Sequence, residues 1–359
     1  MFVICGFEFV ICLEFRYSDL EFLCRIMLLP KKLTQSSQIN FVHTSSPASV
    51  SQMKDFVMFV KRLQNEFPNT KIYDVDRNDL DPRYLAASEN ERLKKMRQAI
   101  RAVDWLAPIY GGTGCGDIVR YFSKEDLSFL RRNRPIVNGF SDTTFLINYL
   151  YFKLKLVTFS FSNAFGFLVH NNFNLFKQII SGELAEYSYE RKAYHWLNPN
   201  KGPEKSIEGI AIGGNLSTFR DLLDVCDIRP RSWEDSILFI EDVDVDMEDL
   251  HRILISLDAK GLFMHVKAVV LGAMDERLFK QSWTKLNFIF GKRLQADHMF
   301  EYLISDVIEE RKENRDPLYI LQVDNFGHGI FKDQLIIPIG AKTILHPNGK
   351  IEFKGPFVE

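Results

Sequence analysis

Apolar and polar positions along this chain follow two periods, and the switching between them marks out short strands and longer helices. Ile39-Asn40-Phe41-Val42-His43 is a strand-length apolar run closed by the turn Thr44-Ser45-Ser46-Pro47. From Ser49 to Gln64 the apolar residues Val50, Met53, Phe56, Val57 and Val60 recur at helical spacing. Lys71 to Val75 predicts a second strand, Asn90 to Val103 a charged amphipathic helix, and Trp105 to Tyr110 a third strand. Asp117 to Phe122 begins another helix. A further apolar run from Arg134 ends at Gly139, and Thr143 to Leu150 predicts the helix after it. Strands alternating with helices imply an N-terminal α/β domain with a mainly parallel sheet covered on both faces.

Beyond about residue 165 the pattern changes. Asn198-Pro199-Asn200-Lys201-Gly202-Pro203 is a cluster of breakers. Strands are expected at Ile207 to Ile212, Ser236 to Ile240, Val266 to Leu271, Leu318 to Val323, Gln334 to Ile337, Lys342 to Leu345 and Lys350 to Phe353. Helices are expected from Asn215 through Leu223, from Asp249 to Ala259, and across residues 276 to 314, which look like an insertion. The fold class is therefore α/β, with a mixed, β-richer C-terminal domain. The expected divisions are 1–33 as an extension outside the core, 34–165 as the first domain, 166–205 as a linker and 206–359 as the second domain.

Composition narrows the function. At 359 residues, about two domains are expected, and 46% hydrophobic residues can fill two cores. The net charge of −2 provides no field for nucleic acid. Five cysteines, with no pair at metal-ligand spacing, fit a reducing, cytoplasmic setting. Met1 to Leu29 is apolar but interrupted by Glu8, Glu14, Arg16, Asp19, Glu21 and Arg25. That pattern suits neither a membrane span nor a signal peptide, so no membrane partner is expected.

Candidate chemistry centres on Asn138-Gly139-Phe140-Ser141-Asp142. A strand turning into a helix at a serine is the geometry of a nucleophile elbow. The match to Gly-x-Ser-x-Gly is partial, because Thr143 holds the second glycine's place, and a helix-capping serine is the competing reading. Glu241 ends the apolar run Ile237 to Ile240, where an α/β sheet lines its ligand crevice. A solvated carboxylate is the plainer alternative there. Asp242-Val243-Asp244-Val245-Asp246 fails as a calcium loop, since Met247 and Ile253 occupy the glycine and glutamate positions, and a solvated acidic turn is expected. His328 sits between Gly327 and Gly329 and has the most site-like setting of the eight histidines; His43 is second. Gly111 to Gly116 follows a strand without a Walker lysine, which leaves an oxyanion loop as its other use. Cys115 has no base beside it in sequence.

Together these segments resemble the LD-carboxypeptidase family of serine peptidases, which includes the microcin C immunity peptidases. Tyr110-Gly111-Gly112-Thr113-Gly114 resembles the family's Arg-Gly-Gly-Tyr-Gly loop, and Gly139-Phe140-Ser141-Asp142 its Gly-aromatic-Ser-Asp elbow. Gly213-Gly214-Asn215-Leu216, the strand ending Glu241-Asp242, and Phe326-Gly327-His328-Gly329 match in the same order. The resemblance spans about Ile39 to Phe353. It implies a Ser-His-Glu triad of Ser141, His328 and Glu241, oxyanion amides from Gly112 and Asp142, substrate contact by Asn215, and neither metal nor cofactor. Tyr110, Thr113 and Phe161-Ser162 depart from the family pattern and bear on substrate detail. The implied substrate is a small peptide, murein tetrapeptide cut at its L,D-amide in peptidoglycan recycling, and a homodimer is a possible assembly. The alternatives are an immunity-type peptidase acting on aminoacyl-nucleotide conjugates, for which Trp196 could stack on a base, and an inactive member that only binds.

Overall fold

The computed structural model describes residues 27–359 except 77–83, 169, 191–193, 199–201, 244, 275–310, 312–316 and 329–332. The extension before residue 27, Gly329 and nearly all of the 276–314 stretch lie outside the described residues.

Two sheets form the framework. The first has the order β12-β5-β4-β3-β1-β2. Its strands are β1 (Ile39–Val42), β2 (Thr70–Tyr73), β3 (Trp105–Pro108), β4 (Ile136–Gly139), β5 (Thr158–Ser160) and β12 (Ile337–Ile339). All pair in parallel except β12, which runs antiparallel to β5. The second sheet has the order β6-β14-β13-β8-β9-β10-β11-β7. Its parallel centre is β8 (Ile207–Asn215), β9 (Ser236–Asp242), β10 (Ala268–Met274) and β11 (Tyr319–Val323). Antiparallel strands β6 (Glu186–Tyr189), β7 (Tyr194–Asn198), β13 (Lys342–Leu345) and β14 (Ile351–Lys354) complete its edges.

Local chemistry explains the helix boundaries. Helix α1 (Val50–Glu66) starts at a capping box in which Ser49 and Gln52 satisfy each other's backbone amides. It buries Met53, Phe56, Val60 and Leu63, whereas Val50 and Val57 face solvent. Helix α2 (Glu89–Arg101) is capped by Ser88. The short helix α3 (Cys115–Val119) is followed by α4 (Lys124–Asn133), which lacks a strong apolar run and is not expected from the sequence.

Helix α5 (Thr144–Leu154) follows β4 and is buried at every position but Lys153. A helix that is apolar all round belongs in an interior. Here it lies between the sheets, touching β4 and β5 on one side and β8 on the other. The Asn148 side chain exchanges hydrogen bonds with Gly213, its Nδ2 donating to the carbonyl at 2.8 Å and its Oδ1 accepting the N–H at 2.9 Å. A polar residue inside such an apolar helix stays only because both its groups are satisfied. The segment that carries Ser141 is thereby fixed to the second sheet.

Three expected divisions differ in the structure. Residues 28–33 pack on the first domain, with Leu28 bridging Leu156, Leu33 buried and its N–H donating to the Ile180 carbonyl at 2.7 Å. The expected linker 166–205 carries helix α6 (Phe173–Ile180) and both outer strands β6 and β7. The last segment returns to the first sheet through β12. Helices α7 (Leu216–Val225), α8 (Met247–Ala259) and α9 (Leu262–His265) complete the described elements. Among the described residues no helix is long and apolar enough to cross a membrane.

Candidate active site

Ser141 opens a 3-10 turn, Ser141–Thr143, between β4 and α5, with φ at +60°. That left-handed conformation costs a non-glycine residue about 1–2 kcal/mol, and a strained strand-to-helix corner is what holds an elbow serine clear of the chain. Thr143 closes the corner from inside. Its Oγ1 accepts the Phe140 N–H at 2.7 Å and lies 2.9 Å from Asn163 Oδ1. Asn163 Nδ2 also donates to the Phe140 carbonyl at 3.1 Å. A Cβ on Gly139 would come within 2.5 Å of Thr143 Oγ1, so that position has no room for a side chain. The threonine in place of a second glycine is thus part of the turn.

Two residues from the second sheet meet this serine. His328, five residues after β11, has Nε2 2.9 Å from Ser141 Oγ. Glu241, near the C-terminal end of β9, has Oε2 2.6 Å from His328 Nδ1. Glu241 is fully buried, which rules out the solvated-carboxylate reading. The Phe140 ring lies 4.7 Å from the imidazole, centre to centre, and walls its face. Serine, imidazole and carboxylate therefore form one hydrogen-bonded line. Such a line can move a proton from the hydroxyl to Nε2 while the carboxylate stabilises the imidazolium.

The glycine loop lies against the serine, since a Cβ on Gly111 would sit 3.5 Å from Ser141 Oγ. Ser46 holds the loop by donating its N–H to the Gly111 carbonyl at 3.1 Å and accepting the Thr113 N–H on Oγ at 3.2 Å. Among the described residues the amides of Gly112 and Asp142 have no hydrogen-bond partner. The Asp142 carboxylate is buried and accepts the Cys115 N–H at 2.8 Å. Burial raises its pKa from 3.8 to about 6, against the lowering effect of hydrogen bonds from the Ser45 hydroxyl and the Cys115 amide.

The other expected residues have the following surroundings. Asn215 caps α7, its Oδ1 accepting the Thr218 N–H at 3.1 Å while Nδ2 donates to Asp242 Oδ1 at 2.8 Å. Asp242 is buried rather than solvated, and its Oδ2 takes the Ser217 hydroxyl at 2.6 Å and the Ser217 N–H at 2.9 Å. Burial raises its pKa. Asp246 caps α8. Cys115 is fully buried, and burial followed by the Asp142 charge pushes its thiol well up, which makes it a poor nucleophile. His43 is buried and pairs with Asp74 at 3.1 Å. Trp196 is buried in the second sheet, with Nε1 donating to the Pro347 carbonyl at 3.0 Å.

Sequence reasoning missed Asn163, Asn148 and Arg92. Asn148 had a signal, a lone amide in an otherwise apolar helix. Arg92 had none, as one cation among several on a charged helix. Asn163 lies in the segment after β5 with no local cue.

Comparison with known proteins adds the ancestry of this arrangement. Residues 39–160 match the LD-carboxypeptidase N-terminal domain, and residues 208–345 match the LD-carboxypeptidase C-terminal domain. A Bacillus subtilis protein named "probable murein peptide carboxypeptidase" is 26% identical over 245 residues, covering 65% of this chain and 70% of its own. The microcin C7 self-immunity protein MccF of Escherichia coli is 26% identical over 274 residues, covering 68% of this chain and 78% of its own. A solved structure of MccF with aspartyl sulfamoyl adenosine has the same fold, with a TM-score of 0.69 at 21% identity over 92% of this chain and 100% of that one. The muramoyltetrapeptide carboxypeptidase of Oxalobacter formigenes shares the fold at a TM-score of 0.62 and 20% identity, over 90% of this chain and 100% of that one.

Proposed function

The chain belongs to the LD-carboxypeptidase family, and from that premise we propose that it is a serine carboxypeptidase using Ser141, His328 and Glu241. The observation that carries the reading is the unbroken line from Ser141 Oγ to His328 Nε2 at 2.9 Å and from Nδ1 to Glu241 at 2.6 Å. It is supported by the strained corner that presents Ser141.

In this mechanism His328 Nε2 takes the hydroxyl proton as Ser141 Oγ bonds to the scissile carbonyl carbon. Glu241 holds the imidazole with Nδ1 protonated and offsets the charge of the imidazolium. The Gly112 and Asp142 amides donate to the oxyanion; loss of one such donor typically costs about 10²–10³-fold in rate. As the tetrahedral intermediate collapses, the C–N bond breaks and Nε2 returns the proton to the leaving amine. Water then attacks the acyl-enzyme with His328 as base, releasing the acid and restoring the Ser141 hydroxyl.

The substrate is the amide between an L-centre and a terminal D-amino acid in murein tetrapeptide, a small peptide cleaved during peptidoglycan recycling in the cytoplasm. The relative named for murein peptide supports this choice. The likeness to MccF motivates a second reading, cleavage of an aminoacyl-nucleotide conjugate. Trp196 does not serve that reading, because its indole is buried and already hydrogen-bonded. Asn215, tied to Thr218 and Asp242, acts in this reading by holding the end of β8 rather than by touching substrate.

The test is incubation of the purified chain with murein tetrapeptide and, separately, with aspartyl sulfamoyl adenosine. Release of free D-alanine, lost in Ser141→Ala, is the expected result. Cleavage of the adenosine conjugate alone would move the protein to the immunity class. No turnover of either would leave a binding protein.

A further inference from the structure

Arg92 is fully buried, whereas the other charged residues of its helix are exposed or half-buried. Its Nε donates to the Ala87 carbonyl at 3.1 Å, and Nη1 donates to the carbonyls of Thr44 and Gly114, both at 2.6 Å. Nη2 reaches Asp117 at 3.3 Å, its one ion pair among the described residues, and that carboxylate is itself 44% exposed. A guanidinium cannot escape burial by losing its proton. It is retained here by three backbone carbonyls, of which Thr44 follows β1 and Gly114 closes the glycine loop. Gly114 has φ +115°, and a Cβ there would lie 2.8 Å from Arg92 Nη1. A side chain at 114 would therefore crowd Leu85 and the guanidinium together, in a backbone conformation that favours glycine.

The loop is held at residues on either side of Gly112. Ser46 engages the Gly111 carbonyl and the Thr113 N–H. Arg92 engages the Gly114 carbonyl, and Asp142, which directly follows Ser141, engages the Cys115 N–H. These contacts link helix α2, through Gly114 and Cys115, to the residue beside the nucleophile.

We infer that Arg92 is a positioning residue that fixes the glycine loop against Asp142, so that the amides of Gly112 and Asp142 keep the spacing an oxyanion requires. It touches neither Ser141 nor substrate. The inference rests on reading Ser141 as the nucleophile and those two amides as donors.

Arg92→Lys keeps the charge but presents a compact ammonium that cannot span Ala87, Thr44, Gly114 and Asp117 together. The purified full chain and its variants are compared by steady-state kinetics on whichever of the two amide substrates is cleaved. Three further readouts are modification of Ser141 by a fluorophosphonate, amide hydrogen exchange over residues 110–116, and thermal melting. Arg92→Lys is expected to fold, to lose roughly 10–100-fold in kcat with KM within about threefold, and to exchange faster across the loop. Combined with Asp142→Asn, its loss is expected to be smaller than the product of the single losses, as for residues acting through one loop. Should Arg92→Lys fail to fold, Gly114→Ala disturbs the same contact from the loop side and is expected to give the same split. A folded variant with unchanged kcat, or a loss confined to KM, overturns the inference and leaves the nucleophile reading standing. A wild-type chain that neither turns over nor takes the fluorophosphonate overturns the nucleophile reading, and this inference falls with it.

Discussion

His328 meets Glu241 twice, through its backbone N–H at 3.0 Å and its Nδ1 at 2.6 Å, both to the same oxygen, Oε2. One buried carboxylate thus anchors the chain and the ring together, and the proton belongs on Nδ1. Nε2 is left as the acceptor facing Ser141. Glu241→Gln preserves size but can offer its NH₂ group to Nδ1, favouring the wrong tautomer. A loss in kcat on the order of 10⁴-fold is expected, as when the triad aspartate is replaced by its amide. Kinetics beside a circular-dichroism check of the fold test this; a loss under about tenfold would remove Glu241 from the proposed triad.

Ser141 holds a left-handed backbone at the corner, and the proposed mechanism relies on that presentation of its hydroxyl. At φ +60° a glycine avoids the Cβ penalty, while its greater freedom in the unfolded chain offsets part of the gain. Ser141→Gly is therefore expected to be more stable than Ser141→Ala by about 0.5–1 kcal/mol, with both inactive. Chemical denaturation of the two variants measures the difference. Equal stability would mean that the elbow is unstrained in solution.

The contrast between Glu241 and Arg92 shows what could be read from the chain. Glu241 was legible because β9 is a continuous apolar run, buried at each position, and its end marks the crevice of a parallel sheet. The β4–Ser141–α5 corner was legible for a similar reason, a change of period around a glycine. His328 stood out only by its flanking glycines. Arg92 was not legible, because burial of a cation depends on which carbonyls the tertiary fold brings to it. The edge strand β6 was also missed, since it is short and has no buried residue, only exposed and half-buried ones. The family resemblance supplied roles for Gly112 and Asp142 but no reason for the loop's geometry. That reason came from Ser46, Arg92 and the Asp142 side chain.

Asn215 separates substrate contact from support. Its carbonyl caps α7 and its amide holds the buried Asp242. Asn215→Ala removes a cap and leaves a carboxylate short of one donor, so a stability loss of about 1–3 kcal/mol is expected. KM should stay within about threefold. Unfolding and kinetics on the same preparation decide the matter; a large rise in KM with unchanged stability would return Asn215 to the substrate.

Asp142 makes stability depend on pH in a direction opposite to that of a salt-bridged carboxylate. Burial lifts its folded pKa to about 6, above the ordinary 3.8, so the folded chain binds this proton more tightly than the unfolded one. Its stabilising contribution is complete below about pH 3.8 and is lost as pH rises through about 6. Asp142→Asn cannot titrate there, and the other carboxylates largely cancel in the comparison. Stability of the wild type relative to Asp142→Asn is therefore expected to rise as pH falls from 7 to 4, by up to about 3 kcal/mol. Urea unfolding of both proteins across that range measures it. A difference that stays flat would mean that solvent or Arg92 keeps the carboxylate near its ordinary value. A difference that shrinks toward low pH would mean that the bonds from Ser45 and Cys115 outweigh burial. The expected sign follows from burial outweighing those two bonds in a side chain that is only 8% exposed.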